Sequence, residues 1–205
     1  MNILVSGGAK NGKSMFAQKT AKRMAEEQGV PLYYIATMIP VDGEDETRIR
    51  RHRKERAGWG FTTLERGRDL PGLLADPDID PRGVFLLDSV TALLGNEMFP
   101  PEGAPDRNAA GRVAEDCAAF AEATGKTVFV SDYIFGSAEA YECGSSVRDE
   151  PALDKRAGAA CGGANEDPEN LTEIYRRGLA RIDRRLTQVC GRVVEVSAGC
   201  MEDWK

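Results

Sequence analysis

Two groups of residues in this chain could do chemistry on a phosphate. The first is Gly7-Gly8-Ala9-Lys10-Asn11-Gly12-Lys13-Ser14, which is a glycine, four residues and then Gly-Lys-Ser. Glycines so placed let the backbone take unusual dihedrals and turn consecutive N–H groups inward around phosphate oxygens at a helix N-terminus. In this pattern Lys13 reaches the β- and γ-phosphates of a nucleotide, and the Ser14 hydroxyl is offered to Mg²⁺. The second group surrounds His52, the sole histidine of the 205 residues, with Arg48, Arg50, Arg51, Arg53, Lys54 and Arg56 about it. Clustered cations attract a polyphosphate and favour the neutral imidazole, whose free nitrogen is a nucleophile. Its attack on an α-phosphorus would form a phosphoramidate as pyrophosphate leaves, and the nucleotidyl group could then pass to a second acceptor. The plainer alternative is a solvated charged face on which His52 does no chemistry.

A phosphate-binding loop also needs an acid at the end of a neighbouring buried strand. Asp88, directly after Phe85-Leu86-Leu87, fits that place and could hold the magnesium through water or oppose the nucleophile. It could instead be a polar strand terminus or the N-cap of the next helix.

The elements that must position these groups are legible as an alternation. Short apolar, β-rich runs near 2–6, 32–37, 84–88, 127–131 and 192–197 are separated by helical segments near 13–28, 44–57, 107–124 and 169–190. That order predicts βαβ units and an α/β fold with a mostly parallel sheet. Val84-Phe85-Leu86-Leu87 and Thr127-Val128-Phe129-Val130 are continuous apolar runs, as strands covered on both faces require. On 169–190, Leu171, Ile174, Tyr175, Leu179, Ile182 and Leu186 form a helical stripe that ordinary packing explains. Residues 95–108, with three prolines and two glycines, and residues 133–168 are expected to be long loops.

Composition bounds the function classes. The length suits one α/β domain over 1–205, with no linker marking a second. A net charge of -6 and a pI near 5.0 argue against a general nucleic-acid binder, so the basic segment around His52 is a local feature. Five scattered cysteines, with no Cys-x-x-Cys pair and one histidine, argue against a structural zinc site or a disulfide framework. No apolar stretch approaches a bilayer span and the N-terminus lacks a cleavage pattern, so a cytoplasmic protein with reduced thiols is expected.

Several blocks, in order, resemble one family. They are Ile3-Leu4-Val5-Ser6 leading into the glycine loop, Tyr34-Ile35-Ala36-Thr37, Arg48-Ile49-Arg50-Arg51-His52-Arg53, Trp59 followed by Thr63-Leu64-Glu65, and Leu86-Leu87-Asp88-Ser89-Val90-Thr91. A generic phosphate-loop protein has no reason to carry the His52 and Trp59 segments at these spacings. The chain is similar to the bifunctional adenosylcobinamide kinase/adenosylcobinamide-phosphate guanylyltransferase family of cobalamin biosynthesis, over most of residues 1–96 and more weakly at 127–132 and 171–199. The resemblance implies a RecA-like phosphate-loop domain, a homotrimer, and GTP and ATP as substrates. It also implies transient GMP attachment at His52 and guanine-nucleotide contacts from Ala36, Thr37, Met38, Arg53, Lys54, Glu55, Arg56, Glu65 and Asp88. Glu65 has the chemistry for guanine, since a carboxylate can accept from both its N1–H and its amino group. The chain departs from the family at 132–168, at Asp183 where the last helix carries an asparagine, and in its tail, which are the parts that would shape the acceptor side. Other classes consistent with the same residues are a nucleotide-binding regulatory protein and a kinase of another small metabolite.

Overall fold

The computed structural model describes residues 1–40, 43–132 and 171–205. Strand β1 (Ile3–Gly7) runs through the glycine loop into helix α1 (Lys13–Gln28), followed by β2 (Leu32–Ala36) and α2 (Gly43–Glu55). Then come β3 (Thr62–Glu65), a 3₁₀ turn (Pro71–Ala75), β4 (Val84–Asp88), α3 (Val90–Met98) and α4 (Ala109–Thr124). Strand β5 (Thr127–Asp132), helix α5 (Leu171–Val189) and the pair β6 (Arg192–Ser197) and β7 (Cys200–Asp203) complete the order. On α2 the side chains at 44, 45, 46, 48, 52 and 55 lie outside the described residues, as do the cysteines at 143 and 161.

The seven strands form one sheet in the order β3-β2-β4-β5-β1-β6-β7, parallel throughout except that β7 runs antiparallel to β6. The strand bearing the glycine loop and the strand ending in Asp88 are separated by β5, which is the RecA-like arrangement. Side chains alternate along each strand, so neighbouring residues of β1 go to opposite layers. Leu4 joins Phe85, Phe129, Leu94, Phe120 and Leu179 under α3, α4 and α5, whereas Ile3 and Val5 join Ala17, Ala21, Leu86 and Val128 under α1. Both faces are therefore apolar, and the inner strands need the continuous hydrophobic runs seen in the sequence.

Five expected strands and four expected helices are present, each within about two residues of its predicted bounds. Among the described residues, two strands, one α-helix and the short 3₁₀ turn at Pro71–Ala75 were not expected. Strand β3 is a four-residue edge strand with three exposed residues and no apolar run, held by parallel pairing with β2. Strand β7 is wholly exposed and follows a tight turn at Ala198 (φ 50°) and Gly199 (φ 80°), whose paired positive φ values suit a two-residue hairpin. The segment 95–108 is not loop throughout: Ser89 caps α3 by accepting from the Ala92 N–H at 3.2 Å, and the helix runs to Met98, ahead of two prolines. The expected loop 133–168 lies outside the described residues.

Among the described residues Cys117 and Cys190 are buried free thiols and Cys200 is exposed. No helix there is long and apolar enough to cross a membrane.

Candidate nucleotide site at the C-terminal ends of the strands

The glycine loop is built by close approach and by backbone freedom. A Cβ on Gly7 would lie 2.4 Å from the Val196 carbonyl oxygen of β6, so only glycine fits where β1 ends. Gly12, the residue before α1, has φ 93°, a left-handed value open to glycine, and Lys10 also takes a positive φ of 57°. Asn11 braces the loop from within: its Nδ2 donates to the Val196 carbonyl and its Oδ1 accepts from the Lys13 N–H at 3.3 Å. Gly8, Ala9 and Lys10 lie on the open side of the turn, Ala9 and Lys10 exposed.

Lys13 is buried, and its ammonium is folded back over the loop. It donates to the Gly8 carbonyl at 3.1 Å and pairs with Asp132 Oδ1 at 2.6 Å. Asp132 ends β5, in register with Gly7. Its site role was missed in the sequence, although an acid directly after Val128-Phe129-Val130-Ser131 repeats the pattern that picked out Asp88. The Asp132 N–H is itself held by Thr91 Oγ1 at 2.9 Å, and Tyr175 on α5 donates to the Thr91 carbonyl at 2.7 Å. Burial pushes the Tyr175 hydroxyl up to about 12, with the Asp132 charge adding to it. On α5, burial likewise pushes the Asp183 carboxyl up to about 6, the Ser131 hydroxyl opposing and the charge of Asp132 adding to the shift.

Asp88 is not the cap of α3, since Ser89 does that work. Its Oδ2 accepts from the Tyr34 hydroxyl at 2.9 Å. The Tyr34 ring in turn carries the Arg56 guanidinium 3.5 Å from its centroid. Burial, then the Asp88 charge, raise the Tyr34 hydroxyl well above its ordinary range against the opposing Arg56, so it stays a donor. Thr37 is fully buried and ties the end of β2 to Ser89: its hydroxyl donates to the Ser89 carbonyl at 2.9 Å and accepts from the Ser89 N–H at 2.7 Å. Asn96 of α3 fixes the same corner, donating to the carbonyls of Thr37 at 2.7 Å and Gly67 at 2.9 Å.

Of these groups Tyr34, Asp88, Ser89 and Asp132 line a cavity of about 690 Å³, to which the loop contributes Ser14. Ser14, Asp88 and Asp132 line one side, Ile49, Arg50, Arg53 and Arg56 of the α2 segment another, with Ala36, Met38 and Glu65 between them. Glu65 is paired with Arg53, and both line the cavity. Lys54 is exposed and is not among the lining residues, and Thr37 acts behind the wall rather than in it. His52 lies on α2, one helical turn after Ile49 and shortly before Arg56, which follows the helix, and both of these line the cavity. Its side chain, like those of Arg48 and Glu55, is outside the described residues.

Ser14 and the two carboxylates form an all-oxygen set, which suits Mg²⁺ arriving with nucleotide phosphates. Among the described residues no group of three or more acids, cysteines or histidines could hold a metal alone. The arrangement can therefore cradle phosphates at one end, hold a divalent cation with them, and present guanidinium groups and a carboxylate to the rest of a nucleotide.

A family model described as cobinamide kinase / cobinamide phosphate guanyltransferase matches residues 3–162. The chain is 37% identical over 106 residues to the bifunctional adenosylcobalamin biosynthesis protein CobU of Escherichia coli, covering 52% of this chain and 55% of that one. It is 37% identical over 100 residues to the bifunctional adenosylcobalamin biosynthesis protein CobP of Pseudomonas aeruginosa, covering 48% and 54%. The chain thus spans about half the length of the curated relatives it matches. A solved KaiC-like protein from Pyrococcus horikoshii OT3 is similar at a TM-score of 0.43 and 12% identity, over 95% of this chain and 69% of that one.

Proposed function

The chain belongs to the cobinamide kinase / cobinamide phosphate guanyltransferase family, and from that premise we propose that it carries out both transfers on an adenosylcobinamide substrate. In the first, a terminal phosphoryl group from ATP or GTP goes to the substrate's hydroxyl. In the second, GMP from GTP goes to the phosphate just installed, by way of a His52-GMP intermediate. The observation that carries this reading is that the loop's Ser14 and the cationic face of the helix bearing His52 wall one cavity.

In the kinase step Lys13 exchanges Asp132 for the β- and γ-phosphates, so the ammonium follows the charge it must stabilise. Asp88 positions the attacking hydroxyl and takes its proton, the oxygen bonding to the γ-phosphorus as the bridging P–O bond to the β-phosphate breaks. Ser14 and Asp88 would hold Mg²⁺, which when bound neutralises phosphate charge. In the transfer step an imidazole nitrogen of His52 bonds to the α-phosphorus as the α–β P–O bond breaks. Arg50, Arg53 and Arg56 stabilise the departing pyrophosphate. The cobinamide phosphate oxygen then displaces the imidazole, which returns to its free form. Glu65 accepts from the guanine N1–H and amino group once Arg53 has yielded it, a pair of donors adenine cannot offer there.

We also propose one functional domain over 1–205 and the family's homotrimer. Turnover tests the reading: purified protein given adenosylcobinamide, ATP and GTP should form the phosphate and then the GDP-linked product, with pyrophosphate released in the second step. Protein that binds GTP yet forms neither product contradicts it.

A further inference from the structure

Tyr34 sits at the junction of the two halves of the cavity and belongs to neither set of groups assigned chemistry. It is 5% exposed on β2, with β3 on one side and β4 on the other. Its ring edge meets Phe61 in a T-shaped contact, centroids 5.8 Å apart, which fixes the ring plane. The hydroxyl at one end of that ring reaches Asp88 at 2.9 Å, and the ring face supports Arg56 at 3.5 Å. Arg56 is 7% exposed, its Nε has no hydrogen-bond partner, and the ring face packs against this guanidinium. Arg56 directly follows α2, and its carbonyl accepts from the Trp59 N–H at 3.1 Å in the turn leaving that helix. Where Arg56 is held, the end of the helix that carries His52 is held too.

We propose that Tyr34 is a positioning residue with two separable duties: its hydroxyl orients the Asp88 carboxylate for the phosphoryl-transfer step, and its ring seats Arg56 and so the C-terminal end of α2 for the nucleotidyl-transfer step. Both duties use one rigid side chain, so the acid and the cationic helix are set against each other by a single ring. The inference rests on the kinase role of Asp88 and the nucleotidyl role of α2 proposed above.

Substitutions separate the two duties. Tyr34→Phe keeps the ring and drops the hydroxyl, and should lower kinase kcat about tenfold or more, as loss of a hydrogen bond to a charged acceptor does, with nucleotide KM little changed. Labelling of the protein by α-labelled GTP should stay within about twofold of the parent, since the ring remains. Tyr34→Leu should lose labelling as well as kinase rate, at a melting temperature checked to show that the variant is folded. In an Asp88→Asn background Tyr34→Phe should add no further loss, because the hydroxyl acts only through that carboxylate.

Loss of kinase rate in Asp88→Asn without loss in Tyr34→Phe overturns this inference alone. Full kinase rate in both overturns the role of Asp88 and this inference with it. Additive losses in the double variant, or undiminished labelling in folded Tyr34→Leu, overturn the corresponding duty.

Discussion

Lys13 shows how the site is stored before a nucleotide arrives. A buried ammonium needs an anion, and Asp132 supplies one at 2.6 Å, the place that phosphates take in the proposed kinase step. Asp132→Asn should therefore destabilise the nucleotide-free protein by about 1–3 kcal/mol, the pair being partly solvated. Urea titrations with and without GTP check this, and the gap should narrow when GTP provides the missing charge. Lys13→Ala should lower the kinase rate by about 10²-fold or more by removing charge stabilisation on the transferred group. At this scale the sequence was informative where spacing encodes chemistry. Lys13 and Ser14 follow from the loop pattern, and Asp88 from its place after an apolar run. Tyr34 was hidden, because a tyrosine within Leu32-Tyr33-Tyr34-Ile35 looks like core, and its ring is packed there.

The elements set these residues by where they end. Strands β1, β4 and β5 finish at one edge of the sheet, so Gly7, Asp88 and Asp132 arrive together from distant parts of the chain. Gly12 must turn that edge into α1 at φ 93°; nothing crowds its missing Cβ, so Gly12→Ala should cost about 1–2 kcal/mol of stability through backbone strain alone, measured by thermal unfolding. Helix α5 adds a pH dependence through Asp183. Its folded carboxyl keeps a proton to about pH 6, against an ordinary value of 3.8. The raised value stabilises the fold fully below about pH 4 and is lost as pH rises through 6. Asp183→Asn, neutral at every pH, should match the parent near pH 4 and exceed it at pH 7 to 8 by about 1–3 kcal/mol.

The same scale shows why some elements were illegible. The buried strands carry continuous apolar runs and were predicted, whereas Thr62-Thr63-Leu64-Glu65 and Cys200-Met201-Glu202-Asp203 are exposed edges that exist only because a partner strand is there to pair with. Helix α3 was obscured by Gly95 within it and the prolines just beyond it, although Ser89 is a conventional N-cap.

Across the whole molecule the charge is unevenly placed. A chain of net charge -6 places Arg50, Arg53 and Arg56 on one wall of the cavity, where the proposed function needs cations to meet an anionic substrate. Ligand binding should then stabilise the fold as mass action requires, by about 2.7 kcal/mol at a GTP concentration one hundred times Kd. Whether His52 carries GMP, as proposed, is read most directly by incubating the protein with α-labelled GTP and Mg²⁺ and denaturing it. A protein-bound label should form that is stable in base, lost in acid, absent from folded His52→Ala and chased off by adenosylcobinamide phosphate. A folded parent protein that binds GTP but acquires no label, or a His52→Ala variant that labels as well as the parent, would contradict it.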